Sequence, residues 1–75
     1  MQLETLFANL LQEPVESITD ETSPRNTRSW DSLKHLELVM AIEGTYSVQF
    51  SMPEIVGLNS VGSIRQMLKL KGVEA

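Results

Sequence analysis

Asp31, Ser32 and His35 place a carboxylate, a hydroxyl and an imidazole within about one turn of a helix. Those are the residue types of a hydrolytic triad, and Ser32 and His35 at i, i+3 are close enough to meet. A triad also needs a buried orienting carboxylate, an oxyanion hole and a substrate cleft. A chain of 75 residues is too small to build all three, so no enzyme is expected. A metal site is equally poorly served, since His35 is the one histidine and there is no cysteine. His35 is expected instead to pack against Trp30 across the helix start, as N′ and N4 residues do in a hydrophobic staple. What remains is Ser32 itself. It stands in the first turn of a helix, where free N–H groups and the positive dipole end favour a phosphate or another anion. Taken as an isolated tripeptide, Asp31-Ser32-Leu33 is weak evidence, because a serine at that position needs no purpose.

The elements that must position these residues can be read from period and caps. Leu3, Leu6, Phe7, Leu10 and Leu11 recur at helical spacing and predict a first helix that ends before Pro14. From Gln12 to Trp30 no helical period can be traced, and a loop this long in so short a chain is commonly functional or packed by its own side chains. Val15, Ile18 and Trp30 are its expected packing points. Asp31 is a good N-cap for a second helix, Ser32 to about Glu43, stopping near Gly44. Ser51-Met52-Pro53-Glu54 is a capping box with proline in the first turn, opening a short third helix that Gly57 and Asn59 stop. Ser60 caps a fourth, Val61 to about Lys71, with Gly72 at its C-terminal stop. Tyr46 to Phe50 alternates like a strand but has no partner strand, so an extended connector is expected. The fold class is therefore all-α, a four-helix bundle with a long loop between helices 1 and 2 and a short third helix, as one domain over residues 1–75.

The second helix carries apolar residues on two faces. At about 100° per residue, Leu38, Val39, Ile42 and Tyr46 share one side, and Leu33, Leu36 and Met40, with Glu37 among them, share the other. Such a helix is either buried all round or shows one face to a partner. Full burial is hard to arrange among four short helices, so the partner face is expected. The core should hold Leu3, Phe7, Leu10, Ile18, Leu38, Val39, Ile42, Tyr46, Phe50, Ile64 and Leu68.

Charge and composition narrow the field. Ten acidic against six basic side chains give a net charge of −4, the wrong sign for gripping nucleic-acid phosphates. No apolar run approaches the roughly 18 residues a membrane span needs, and the start lacks the basic and apolar regions of a signal peptide. No nucleic acid and no membrane are expected, and a cytoplasmic monomer is. Arg25, Arg28 and Lys34 make a small basic cluster, read either as solvated or as lying near a phosphate or a partner's acidic patch.

The run Trp30-Asp31-Ser32-Leu33, continued by Lys34-His35-Leu36-Glu37-Leu38-Val39-Met40-Ala41-Ile42-Glu43, resembles the acyl and peptidyl carrier protein family. The resemblance extends through Tyr46, Phe50, the third helix at Ser51–Leu58 and Ser60-Val61, and it covers essentially the whole chain. It implies that Ser32 bears 4′-phosphopantetheine through a phosphodiester and that Asp31 assists the phosphopantetheinyl transferase that installs it. The prosthetic group's thiol would carry an acyl or aminoacyl group as a thioester, with the protein supplying position and recognition. The implied partners are that transferase, an acyl- or aminoacyl-loading enzyme, and a downstream transferase or synthase. Leu33, Leu36, Glu37, Met40, Glu43 and Glu54 are then the expected partner-binding residues. Val39, Ile42, Phe50, Ile55 and Leu58 form the expected seam for the attached chain.

Carriers of bacterial fatty-acid synthesis are typically more acidic along the second and third helices. Here Lys34, Gly44, Thr45, Met52, Pro53 and Val56 stand where acids are common, which points to a specialised biosynthetic pathway, with a housekeeping fatty-acid carrier as the alternative. Beginning at Met1 and stopping after the fourth helix, the chain is expected to be free-standing. A helical interaction module of the same fold, never modified at Ser32, is the reading from another class.

Overall fold

The computed structural model describes residues 3–74; Met1, Gln2 and Ala75 of the expected 1–75 domain lie outside them. Helix α1 spans Leu3–Leu11, α2 Ser32–Tyr46, α3 Met52–Gly57 and α4 Val61–Leu70, with one 3-10 turn at Val15–Ser17. No strand occurs among the described residues. The order is the one the period and caps predicted.

Local chemistry accounts for the boundaries. α1 ends when Gln12 turns left-handed at φ 57° and the Glu13 N–H reaches back to the Ala8 carbonyl at 3.1 Å, a closure that leaves Pro14 free to start the loop. Asp31 caps α2, its Oδ1 accepting the Lys34 N–H at 2.8 Å. Ser51 and Glu54 form the expected reciprocal capping box at α3. Ser60 caps α4 with Ser63 as its reciprocal partner. The end of α2 departs from expectation. Gly44 does not stop it, and the helix runs on to Tyr46 before Ser47 turns left-handed at φ 55°. A helical glycine costs only about 1 kcal/mol, and packing the half-buried Tyr46 against the core opposes that cost. The extended connector is thus shorter, beginning after Ser47.

One hydrophobic core joins all four helices and the loop. Leu3, Phe7, Ile18, Leu38, Val39, Ile42, Phe50, Ile64 and Leu68 are buried as expected, and Leu6, Ala8, Leu11, Trp30, Leu58 and Val61 join them. Leu10 and Tyr46 are only half-buried. Val15 is no packing point: it is 46% exposed, because the turn it opens runs over the surface and the chain returns inward only at Ile18. Trp30 is the loop's anchor, with its ring centroid 5.3 Å from that of Phe7.

The long loop is ordered by its own polar groups. The Thr19 N–H donates to Thr22 Oγ1 at 2.9 Å, and Asn26 Nδ2 donates to the Glu21 carbonyl at 2.9 Å. Its carbonyls also serve α4: the Val61 N–H donates to Thr22 O and the Gly62 N–H to Asp20 O, each at 2.9 Å. Two amides that α4 cannot satisfy internally are thereby paired. The approach favours glycine, since a Cβ on Gly62 would stand 3.0 Å from the Asp20 carbonyl oxygen and press on that backbone. Arg65 strengthens the same junction, bonding Asp20 at 3.1 Å and also Glu4.

Candidate functional site

The end of the loop and the start of α2 bring Trp30, Asp31, Ser32 and His35 together. Asp31 satisfies the Lys34 amide, so Ser32 is not needed as a cap. It stands exposed in the first turn. Ser29, the nearest other serine, has its hydroxyl oxygen buried and closed to chemistry from outside.

Ser32 opens onto a groove of about 590 Å³ between the start of α2 and α3. Trp30, His35 and Leu36 line one wall, and Met52, Ile55, Val56 and Leu58 the other, with Pro24 and Asn59 beside them. Of the five residues expected to form a seam here, Ile55 and Leu58 line the groove. Val39, Ile42 and Phe50 do not; they are spent on the core, at 3%, 0% and 8% exposed. The apolar side of α2 that faces inward packs on α1 within the shared core, and the open space lies toward the helix start. Pro24, Met52, Val56 and Asn59 were missed by sequence reasoning, since none shares a periodic face with Ser32.

His35 packs on Trp30 as the staple reading expected, ring centroids 6.1 Å apart and planes 20° from parallel. It also does what spacing could not reveal. Trp30 Nε1–H donates to His35 Nδ1 at 3.1 Å, and His35 Nε2 lies 3.0 Å from the Ile55 carbonyl oxygen.

The two faces of α2 separate cleanly. Leu38, Val39 and Ile42 are buried, while Leu33, Leu36 and Met40 are 68%, 52% and 70% exposed. Glu37 sits among them, paired with Lys34 at 2.8 Å. Met52 and Val56 of α3 extend the exposed apolar surface. Glu43 and Glu54, grouped with this face from sequence, each also bond within the chain. Glu43 Oε2 accepts the Phe50 N–H at 2.9 Å, fixing the connector to α2. Glu54 accepts the Ser51 N–H at 2.8 Å and pairs with Lys71 at 3.2 Å. The Ser51 amide first, and Lys71 second, hold its carboxyl below the usual carboxylate range.

The residues of the basic cluster have separate surroundings. Lys34 is paired with Glu37, Arg28 lines a polar depression with Glu13 and Glu21, and Arg25 lies beside Pro24 and Asn59. No group of three or more metal-ligating side chains occurs among the described residues, and none of their helices is long and apolar enough to cross a membrane.

Comparison with known proteins bears on this arrangement. The family model described as "Phosphopantetheine attachment site" matches residues 2–68. Acyl carrier protein 3 of Ralstonia nicotianae is 37% identical over 60 residues, which cover 80% of this chain and 69% of that protein. An acyl carrier protein of Saccharopolyspora erythraea is 30% identical over 66 residues, covering 88% and 70% respectively. Among solved structures, the holo acyl carrier protein from Geobacter metallireducens superposes with a TM-score of 0.82 at 29% identity, over 92% of this chain and 79% of that one.

Proposed function

The chain belongs to the acyl carrier protein family, and on that premise we propose that Ser32 is the residue that holds its prosthetic group. The protein is a carrier and not an enzyme, and its cofactor is covalently attached 4′-phosphopantetheine. That group, when bound, supplies the thiol that a chain without cysteine lacks and on which an acyl group rides as a thioester.

One observation carries the assignment: Ser32 offers an exposed hydroxyl in the first turn of α2, at the mouth of an apolar groove. The residues present suit the group. Modification replaces the hydroxyl proton of Ser32 by a phosphoryl bond, and the resulting negative charge sits at the positive end of a helix of 15 residues. Asp31 keeps the turn in shape through the Lys34 amide and stands ready to assist the phosphopantetheinyl transferase. Leu36, Ile55 and Leu58 offer apolar wall to whatever Ser32 carries.

The exposed face formed by Leu33, Leu36, Glu37 and Met40, with Met52 and Val56 beside it, is the docking surface in this reading. It would receive an acyl- or aminoacyl-loading enzyme and a downstream transferase or synthase in turn. A carrier must leave each partner, so a small interface with a few apolar anchors suits the task. Surface charge chiefly governs encounter rate and partner choice. A face with Glu37 tied to Lys34 and with Glu43 and Glu54 occupied internally supports service in a specialised pathway rather than in housekeeping fatty-acid synthesis. A monomer in the cytoplasm is part of the same reading.

The test is intact mass after co-expression with a broad-specificity phosphopantetheinyl transferase. The chain should gain one phosphopantetheine and one free thiol, Ser32→Ala should gain neither, and Ser29→Ala should gain both. Modification that persists in Ser32→Ala overturns the assignment.

A further inference from the structure

His35 is gripped from two sides, and both grips demand one protonation state. An indole N–H only donates and a carbonyl oxygen only accepts. Nδ1, facing Trp30 Nε1–H at 3.1 Å, must therefore be the bare nitrogen. Nε2, facing the Ile55 carbonyl at 3.0 Å, must carry the proton. Trp30 is itself fixed, 2% exposed and packed on Phe7. The imidazole thus ties a side chain rooted in the core to the backbone of α3.

α3 has need of such a tie. None of its six residues is fully buried and only the half-buried Ile55 packs against the core, while the buried Phe50 and Leu58 lie outside it, one at either end. The Ile55 carbonyl lacks the helical partner four residues on, because the Asn59 N–H donates to Ser63 Oγ at 3.1 Å instead. It accepts the Leu58 N–H at 3.2 Å, and its second lone pair is left for His35.

We infer that His35 is a positioning residue: through the Ile55 carbonyl it sets the spacing of α3 from α2, and with it the width of the groove beside Ser32. What the groove shelters rests on the reading of Ser32 as the attachment site; the tie itself does not. With the imidazole in place, the groove meets an attached acyl group already formed. Without it, α3 moves away from α2 and the thioester stands open to water and nucleophiles.

The first measurements use the unmodified chain. Ring ¹⁵N NMR should show His35 as the neutral tautomer protonated on Nε2. His35→Phe keeps a ring but loses both bonds, so amide exchange across residues 52–58 should quicken roughly two- to tenfold, as expected for one lost hydrogen bond. Exchange in α1 should not change, and His35→Gln, which retains an N–H donor, should restore part of the protection. The last measurement loads a hexanoyl thioester on the holo chain, where His35→Phe should hasten its cleavage by hydroxylamine. Should His35→Phe fail to fold, Trp30→Phe removes the indole donor together with part of a buried ring, and with α1 exchange as the control for the fold, the Nε2–H preference and α3 protection should both weaken. An Nδ1–H tautomer, or α3 exchange indifferent to these variants, overturns the inference. Failure of the Ser32 reading would show separately, as no mass gain, while the tautomer and exchange results stand.

Discussion

At the scale of single residues, α2 is a helix whose neighbouring side chains have opposite tasks. Val39 is buried while Met40, next in sequence, is 70% exposed, because successive helical residues point about 100° apart. A charge at Met40 therefore enters water and leaves the core alone. Met40→Glu should keep stability within about 0.5 kcal/mol, the usual range for a surface change, yet slow transfer by a partner that docks on this face. Thermal melts beside partner turnover on the holo protein check both halves. A variant that unfolds would show that Met40 supports the core, and one with every partner rate intact would remove it from the docking surface.

Among the elements, α3 packs Ile55 against the core and is held by polar contacts on both sides. The His35 tie lies on one side. On the other, Lys71 at the end of α4 pairs with Glu54 and lies 5.5 Å from the Phe50 ring centroid. Glu54 is lowered in the fold by the Ser51 amide and then by Lys71, so its contribution has a definite sign with pH. A carboxyl with a folded value below its unfolded one stabilises fully above the unfolded value, and that stabilisation is lost as pH falls through the folded value. α3 should accordingly loosen as the solution is acidified through the carboxylate range. Glu54→Gln should flatten that part of the response while leaving the neutral-pH fold intact. Amide exchange over residues 52–58 at stepped pH reads it directly, and an acid response identical in both proteins would exclude Glu54 as its source.

For the whole molecule, the small core leaves little reserve. A domain of this size commands only about 3–5 kcal/mol of net stability. Ile42 is 0% exposed at the centre of that core, and truncating such a side chain costs roughly 2–5 kcal/mol. Ile42→Ala should therefore be largely unfolded or close to it at room temperature. The chain has one tryptophan, and Trp30 sits in the core, so its emission during denaturant titration reports the global transition. An unchanged midpoint would mean that the core does not depend on Ile42.

Sequence alone determined the features that act over a few residues: the caps at Asp31, Ser51 and Ser60, the closure of α1 before Pro14, the staple of His35 on Trp30, and the place of Ser32 in the first turn of α2. Each depends on hydrogen bonds or contacts between i and about i+5, which spacing encodes directly. The inward and outward faces of α2 were legible for the same reason, through the helical period. Tertiary structure decided how those pieces meet. The period already sets Tyr46 on the inward face of α2, but Gly44 reads as the stop, and the packing of Tyr46 against the core carries the helix past it. Sequence places Val39, Ile42 and Phe50 both in the core and along a seam for the attached chain; the fold buries them as core, and other residues line the open groove beside Ser32. Local spacing could not bring Pro24, Met52, Val56 and Asn59 to the groove beside Ser32, nor His35 to the carbonyl of Ile55, twenty residues on. Those meetings depend on the angle and separation of whole helices, which are set by how their buried side chains fill one shared volume.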